Sequence, residues 1–188
     1  MENQNTALII VDVQKAFDDP KWGERNNPSA EVNISRILSA WRDKGWLIIH
    51  IQHTSDKPHS LFHPTNEGFG IKEVVKPSEG EIVLTKKVNS SFIGTPLEEH
   101  LRQNHITHVV ITGLTTPHCV STTTRMSGNL GFNTTLISDA VAAFGLYDQH
   151  GTYHSAETIH EISLATLHHE FATILTTEEL LHSMNEIS

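Results

Sequence analysis

Hydrophobic and polar residues fall in alternating blocks along this chain. Ala7-Leu8-Ile9-Ile10-Val11 is an unbroken apolar run ending at Asp12. A run with no polar alternation fits a parallel strand buried on both faces. Trp46–Ile51, Ile82–Thr85, His108–Thr112, Thr134–Ser138 and Phe171–Leu175 predict five more strands. Between the first two, Ile34, Ile37, Leu38 and Trp41 recur at helical spacing, with Pro28 near the start and Gly45 at the stop. Thr95-Pro96-Leu97-Glu98 predicts a second helix, with Thr95 as N-cap and Pro96 as its first residue, running to about Asn104. Further helices are expected from Cys119 to Leu130, from about His154 to His169, and after the capping run Thr176-Thr177-Glu178-Glu179.

Strands alternating with helices predict an α/β fold: a three-layer α/β/α, Rossmann-like arrangement around a doubly wound, mostly parallel six-stranded sheet. The 188 residues suit a single domain over the whole chain. Gln52–Gly80 has no clear period and is rich in His, Pro, Ser and Gly, so it reads as a long functional loop. Ligands of doubly wound sheets bind beyond the carboxyl ends of the strands. Asp12 ends the first strand, Lys86 and Lys87 follow the third, and Cys119 lies shortly after the fourth. These distant residues are therefore expected to converge.

Composition narrows the function classes. The formal net charge is −9 with 13 Lys and Arg, which leaves no basic footprint for nucleic acid or an anionic membrane. No apolar run approaches the length of a membrane span. Residues 1–6 lack the charged and apolar regions of a signal peptide, and one cysteine makes no internal disulfide, so a cytoplasmic protein is expected. The 14 histidines are scattered, and their number alone indicates no metal.

The candidate chemistry centres on Cys119. Isolated cysteines are commonly small buried hydrophobes. Here the residue follows Gly113-Leu114-Thr115-Thr116-Pro117-His118 and opens a predicted helix. A helix N-terminus favours an anion, so the thiol pKa is expected below its free value of about 8.5. Asp12 is the candidate general base, against a plain turn-forming role. Lys86 or Lys87 would stabilise a thiolate, against a solvated surface lysine.

Three stretches together resemble the isochorismatase-like cysteine hydrolases, a family that includes nicotinamidases and other amidases. They are Ala7 through Gln14 with Phe17, then Lys86 through Leu97, then Val110-Ile111-Thr112-Gly113 through Cys119-Val120 and on to Ser138-Asp139-Ala140. The resemblance implies a catalytic Asp12, a nucleophilic Cys119 and, by its place before Ser90-Ser91-Phe92, a catalytic Lys86. Strand alternation sends Lys87 to the opposite face. The resemblance further implies a cis Leu114–Thr115 peptide, with the N–H groups of Thr115 and Cys119 forming an oxyanion hole. The implied activity is cleavage of a small amide or related C–N bond through a Cys119 thioester. An isochorismatase-type vinyl-ether hydrolase and a catalytically idle binding protein of the same fold are the alternatives.

Phe17, Trp22, His53, Phe92, Thr116 and His118 are candidate pocket residues for a small-molecule substrate. Tyr147 and Phe144 are candidates for a lid or for a neighbouring subunit's contribution, and the resemblance implies a homo-oligomer, a dimer or larger. Nicotinamidases in the family bind a metal through Asp-x-His and a second His six residues on. His53 and His59 keep that spacing, but Ile51 stands in the aspartate position and His63 does not replace it. No cofactor and no metal are therefore expected, His53 and His59 being the remaining metal candidates.

Overall fold

The structure, a computed structural model, describes residues 5–185. Most of the N-terminal stretch read for a targeting signal lies outside them. Among the described residues there are eight strands: β1 (Thr6–Val11), β2 (Leu47–His53), β3 (Ile82–Lys86), β4 (His108–Leu114), β5 (Asn133–Ala142), β6 (Leu146–Tyr147), β7 (Tyr153–His154) and β8 (Thr173–Leu175). Five α-helices accompany them: α1 (Ala30–Lys44), α2 (Leu97–Gln103), α3 (Ser121–Asn129), α4 (Ala156–Ala165) and α5 (Thr177–Asn185). Six strands form one sheet in the order β3-β2-β1-β4-β5-β8, and β6 and β7 pair as a separate small hairpin. Every pairing in the large sheet is parallel, which sharpens the expected mostly parallel sheet.

The apolar run of β1 is unbroken because both its faces are covered. Ala7, Ile9 and Val11 join a core with Leu97 and Leu101 of α2, Val120 before α3, and Leu167. Leu8 and Ile10 join a second core with Ile34, Ile37, Leu38 and Trp41 of α1 and Leu180 and Met184 of α5. Trp41, at the centre of the second core, has no solvent exposure. Each such side chain stabilises the fold by roughly 1.5–3 kcal/mol through burial. Helix α1 ends where Gly45 takes a left-handed conformation at φ 64°.

The chain winds to one side of β1 through β2 and β3, then crosses to β4 on the other side. The reversal lies between β1 and β4, where a ligand crevice is expected. Gly113 makes this junction possible. It stands opposite Val11 at φ 124°, and a Cβ there would lie 2.0 Å from the Val11 carbonyl oxygen. The β4–β5 register also shifts between Ile111 and Gly113. Gly113→Ala is expected to destabilise the protein by about 3 kcal/mol, from a strained φ plus a backbone clash. A urea midpoint equal to the parent's would refute this account of the junction.

Several elements differ from the sequence pattern. β5 continues to Ala142, because past the register shift Val141 and Ala142 pair with Gly113 and Leu114. α2 starts at Leu97 and is preceded by Pro96 as cap. Thr95 still accepts from the Leu97 N–H, at 3.3 Å, while its hydroxyl donates to the Ser91 carbonyl. α4 is shorter than expected, starting after Ser155, whose hydroxyl accepts from the Thr158 N–H. Among the described residues no helix is long and apolar enough to cross a membrane.

Candidate active site

Asp12, Lys86 and Cys119 come from the carboxyl ends of β1, β3 and β4, with β2 lying between β3 and β1, and meet at one point. Asp12 directly follows β1, has φ 52° and is fully buried. A non-glycine residue held in this region indicates a backbone determined by its surroundings. Its N–H donates to the Ile51 carbonyl of β2. Lys86 ends β3. Its buried side chain alternates with the exposed Thr85 and Lys87, as strand geometry requires. Lys87 instead pairs with Asp56 at the surface, at 2.7 Å. Cys119 lies in a π-helical turn, Thr116–Val120, that leads into α3. The Leu114–Thr115 peptide before it is cis.

The Lys86 ammonium is the hub. Nζ donates to Asp12 Oδ2 at 2.6 Å and to Cys119 Sγ at 3.2 Å, and lies 3.1 Å from His53 Nδ1. An ammonium has three protons to donate, so these three acceptors saturate it. Desolvation, followed by the adjacent Lys86 charge, pushes the His53 pKa down to about 4. His53 is therefore neutral near pH 7 and can accept. Asp12 Oδ1 is buried with no hydrogen-bond partner.

Gln14, unassigned by the sequence beyond its place in the first motif, positions His53. Its Oε1 accepts from the His53 N–H at 2.8 Å, and its Nε2 donates to the His53 carbonyl at 3.0 Å and the Phe69 carbonyl at 2.9 Å. The buried amide thus takes the place of a neighbouring strand at the end of β2.

Above the triad lies a cavity of about 260 Å³. Phe17, Trp22, His53 and His118 line it, as the sequence suggested, together with Phe62, Asn89, Phe144 and Leu146. Phe144 belongs to the same chain's wall, whereas Tyr147 is exposed and packs on Tyr153. Two candidates fall elsewhere. Phe92 is half-buried and stacks on Phe132, with centroids 6.2 Å apart, against the core that holds Leu97 and Leu101 of α2. Thr116 is buried behind the turn, its hydroxyl 3.0 Å from His160 Nδ1. Phe62 and Leu146 escaped sequence reasoning because neither sits in a periodic element; Asn89 lay inside the second motif, three residues after Lys86.

A profile of the isochorismatase domain matches residues 6–179. The chain belongs to the isochorismatase family. It is 74% identical to the uncharacterized isochorismatase family protein YrdC of Bacillus subtilis, over 95% of this chain and 96% of that one. An isochorismatase-family protein from Chromobacterium violaceum has a crystal structure that superimposes with a TM-score of 0.96 at 39% identity, covering 99% of this chain and 96% of the other. Streptothricin hydrolase of Streptomyces noursei is 29% identical, over 74% of this chain and 55% of its own length.

This isochorismatase-family hydrolase departs from the sequence reading in the state of its thiol. Burial, followed by the Asp12 carboxylate, pushes the Cys119 pKa up to about 12, with Lys86 acting in the opposite direction. The helix-terminus expectation fails because the sulfur is taken out of water and set beside an anion. The resting residue is a thiol. Alkylation of Cys119 by iodoacetamide should be slow at neutral pH and accelerate into the alkaline range. A rate plateau reached below the free-thiol value of about 8.5 would contradict this.

The metal reading also resolves into a different arrangement. Asp12, His53 and Cys119 present ligand atoms within 4.8 Å of one another, the only such group among the described residues. The Lys86 ammonium already contacts all three, so this set does not fit a metal ion. His59 is exposed in the loop, and His63 Nδ1 lies 2.8 Å from Thr65 Oγ1; neither joins His53.

Proposed function

We propose that this protein hydrolyses a small amide or related C–N bond through a thioester on Cys119. One observation carries the reading: the buried Asp12 carboxylate is fixed on Lys86 through one oxygen at 2.6 Å and lies against the Cys119 thiol, within 4.8 Å of the sulfur. A carboxylate in that state can take a proton and return it.

In this mechanism the thiol transfers its proton to Asp12 as sulfur attacks the carbonyl carbon. Concerted transfer avoids placing two anions against one ammonium. The N–H groups of Thr115 and Cys119 hold the oxyanion of the tetrahedral intermediate. Asp12 then protonates the leaving nitrogen and the C–N bond breaks, leaving the thioester. Water enters, gives a proton to Asp12 and attacks the thioester. Collapse of that intermediate expels the sulfur, which recovers the proton. Lys86 stays charged throughout and holds Asp12 in place.

Rapid-quench mass spectrometry during turnover of an amide panel tests the reading. Expected is an adduct of acyl mass on the Cys119 peptide, and no turnover or adduct in Cys119→Ala with the fold intact by circular dichroism. Turnover persisting in Cys119→Ala would refute the thioester route, and isochorismate as the sole substrate would favour vinyl-ether hydrolysis.

A further inference from the structure

The walls of the cavity carry information that the triad does not. Phe17, Trp22, Phe62 and Phe144 form a continuous aromatic surface. Phe17 lies 5.4 Å from Trp22, 5.4 Å from Phe62 and 6.1 Å from Phe144 by ring centroid, and Trp22 lies 5.9 Å from Phe144. The indole N–H of Trp22 is spent on the Ala16 carbonyl at 2.7 Å, so the ring offers no free donor to a ligand. Leu146 extends this apolar wall. Polar groups are confined to the floor around Cys119 and to His118, whose Nδ1 lies 3.0 Å from the Thr115 hydroxyl.

Among the described residues no arginine or lysine lines the cavity. Lys86, which contacts three of the lining residues, has all three protons committed to Asp12, His53 and Cys119. The two lining histidines give no fixed positive charge: His53 is held at about 4, and desolvation lowers His118 as well. The one lining carboxylate, Asp12, is neutralised by Lys86 at 2.6 Å and has no solvent exposure, so an ammonium would find no net negative charge to pair with. A charged group on the ligand would lose its water and gain no partner. A volume of about 260 Å³ stands at the small end of ligand pockets, which run roughly 300–1,000 Å³.

We infer that the protein takes small amides whose acyl group is uncharged and predominantly apolar, planar or branched, packed against the Phe17–Trp22–Phe62–Phe144 surface, and that it rejects acyl groups bearing a carboxylate or an ammonium. The inference rests on the amidase reading for its reaction, but its binding half stands apart from it. Isochorismate, a dicarboxylate, falls in the rejected class.

The test uses matched ligands: benzamide, 4-carboxybenzamide and 4-(aminomethyl)benzamide, with isobutyramide and succinamate as an aliphatic pair. With the intact protein, kcat/KM for each neutral amide should exceed that of its charged analogue by on the order of 100-fold or more. Calorimetric binding to Cys119→Ala should give the same ranking. Preferential binding of the neutral amides without turnover would sustain the pocket assignment while removing the amidase mechanism. Equal or tighter binding of a charged analogue, or no binding of either neutral amide, overturns the inference. A second variant guards against a fortuitous ranking. Phe62→Arg places a cation in the wall and should improve 4-carboxybenzamide relative to benzamide at least about tenfold, by charge pairing in a water-poor site; an unchanged ratio counts against the assignment.

Discussion

Lys86→Met is expected to lower turnover by on the order of a thousandfold, the scale of general acid–base assistance, and to destabilise the fold by about 3–5 kcal/mol, the cost of breaking a buried ion pair from one side. Both effects follow from one contact. The Lys86 and Asp12 side chains have no solvent exposure and meet at 2.6 Å. Burial raises the Asp12 pKa, and Lys86 is the first influence that opposes the rise, with Cys119 adding to it. Methionine matches the length of the lysine stem but gives no charge, so the Asp12 carboxyl is driven further toward its protonated form. A protonated Asp12 cannot accept the thiol proton. The sign of the pH dependence follows. A folded-state pKa raised further above the unfolded value weakens the variant at pH values where the unfolded carboxyl is ionised. The stability deficit against the parent should therefore be larger at neutral pH than in acid, as read from urea midpoints across that range. A deficit that grows as pH falls, or full activity in the variant, would remove Lys86 from its proposed place.

How far the sequence reached is clearest at the strand ends. The β1 run was legible because both its faces are covered, which leaves no polar position in it. Once β1, β3 and β4 run parallel in one sheet, with β2 between β3 and β1, Asp12, Lys86 and Cys119 have only one edge at which to meet. Local patterns brought Asp12 and Cys119 to that edge, and the resemblance singled out Lys86 from Lys87. Local patterns did not suffice for the cavity. Phe62 comes from a loop with no period, and its place is fixed by non-local contacts: its ring meets Phe17 edge-on, and its carbonyl accepts from the Ser55 N–H. Phe92 shows the converse error. It lies in the second of the three motifs, yet its ring packs against the core. The state of Cys119 was misjudged for a related reason. A helix start is a local feature, whereas burial and the neighbouring Asp12 are supplied by residues far away in the chain.

Asp12→Asn separates nucleophile readiness from catalysis, because it should move the two in opposite directions. Asparagine keeps the shape of the side chain and loses the charge. Turnover should fall by on the order of 10³–10⁴, since no group remains to take the thiol proton and return it to the leaving nitrogen. The thiol should nevertheless become more acidic. Burial is the largest cause of its high pKa, but the Asp12 charge is the next, and Lys86 acts to lower it. With the carboxylate gone, the ammonium at 3.2 Å faces the sulfur without a competing anion. Iodoacetamide should consequently label Cys119 faster in Asp12→Asn than in the parent at neutral pH, even as hydrolysis is lost. A purely structural role for Asp12 does not predict this inversion, because loosening the site would leave the thiol without its paired cation. Slower or unchanged labelling, alongside lost turnover and an intact fold, would mean that Asp12 does not hold the proton of the resting thiol in place. Faster labelling would identify the Asp12 charge as acting with burial to keep Cys119 protonated until a carbonyl is within reach.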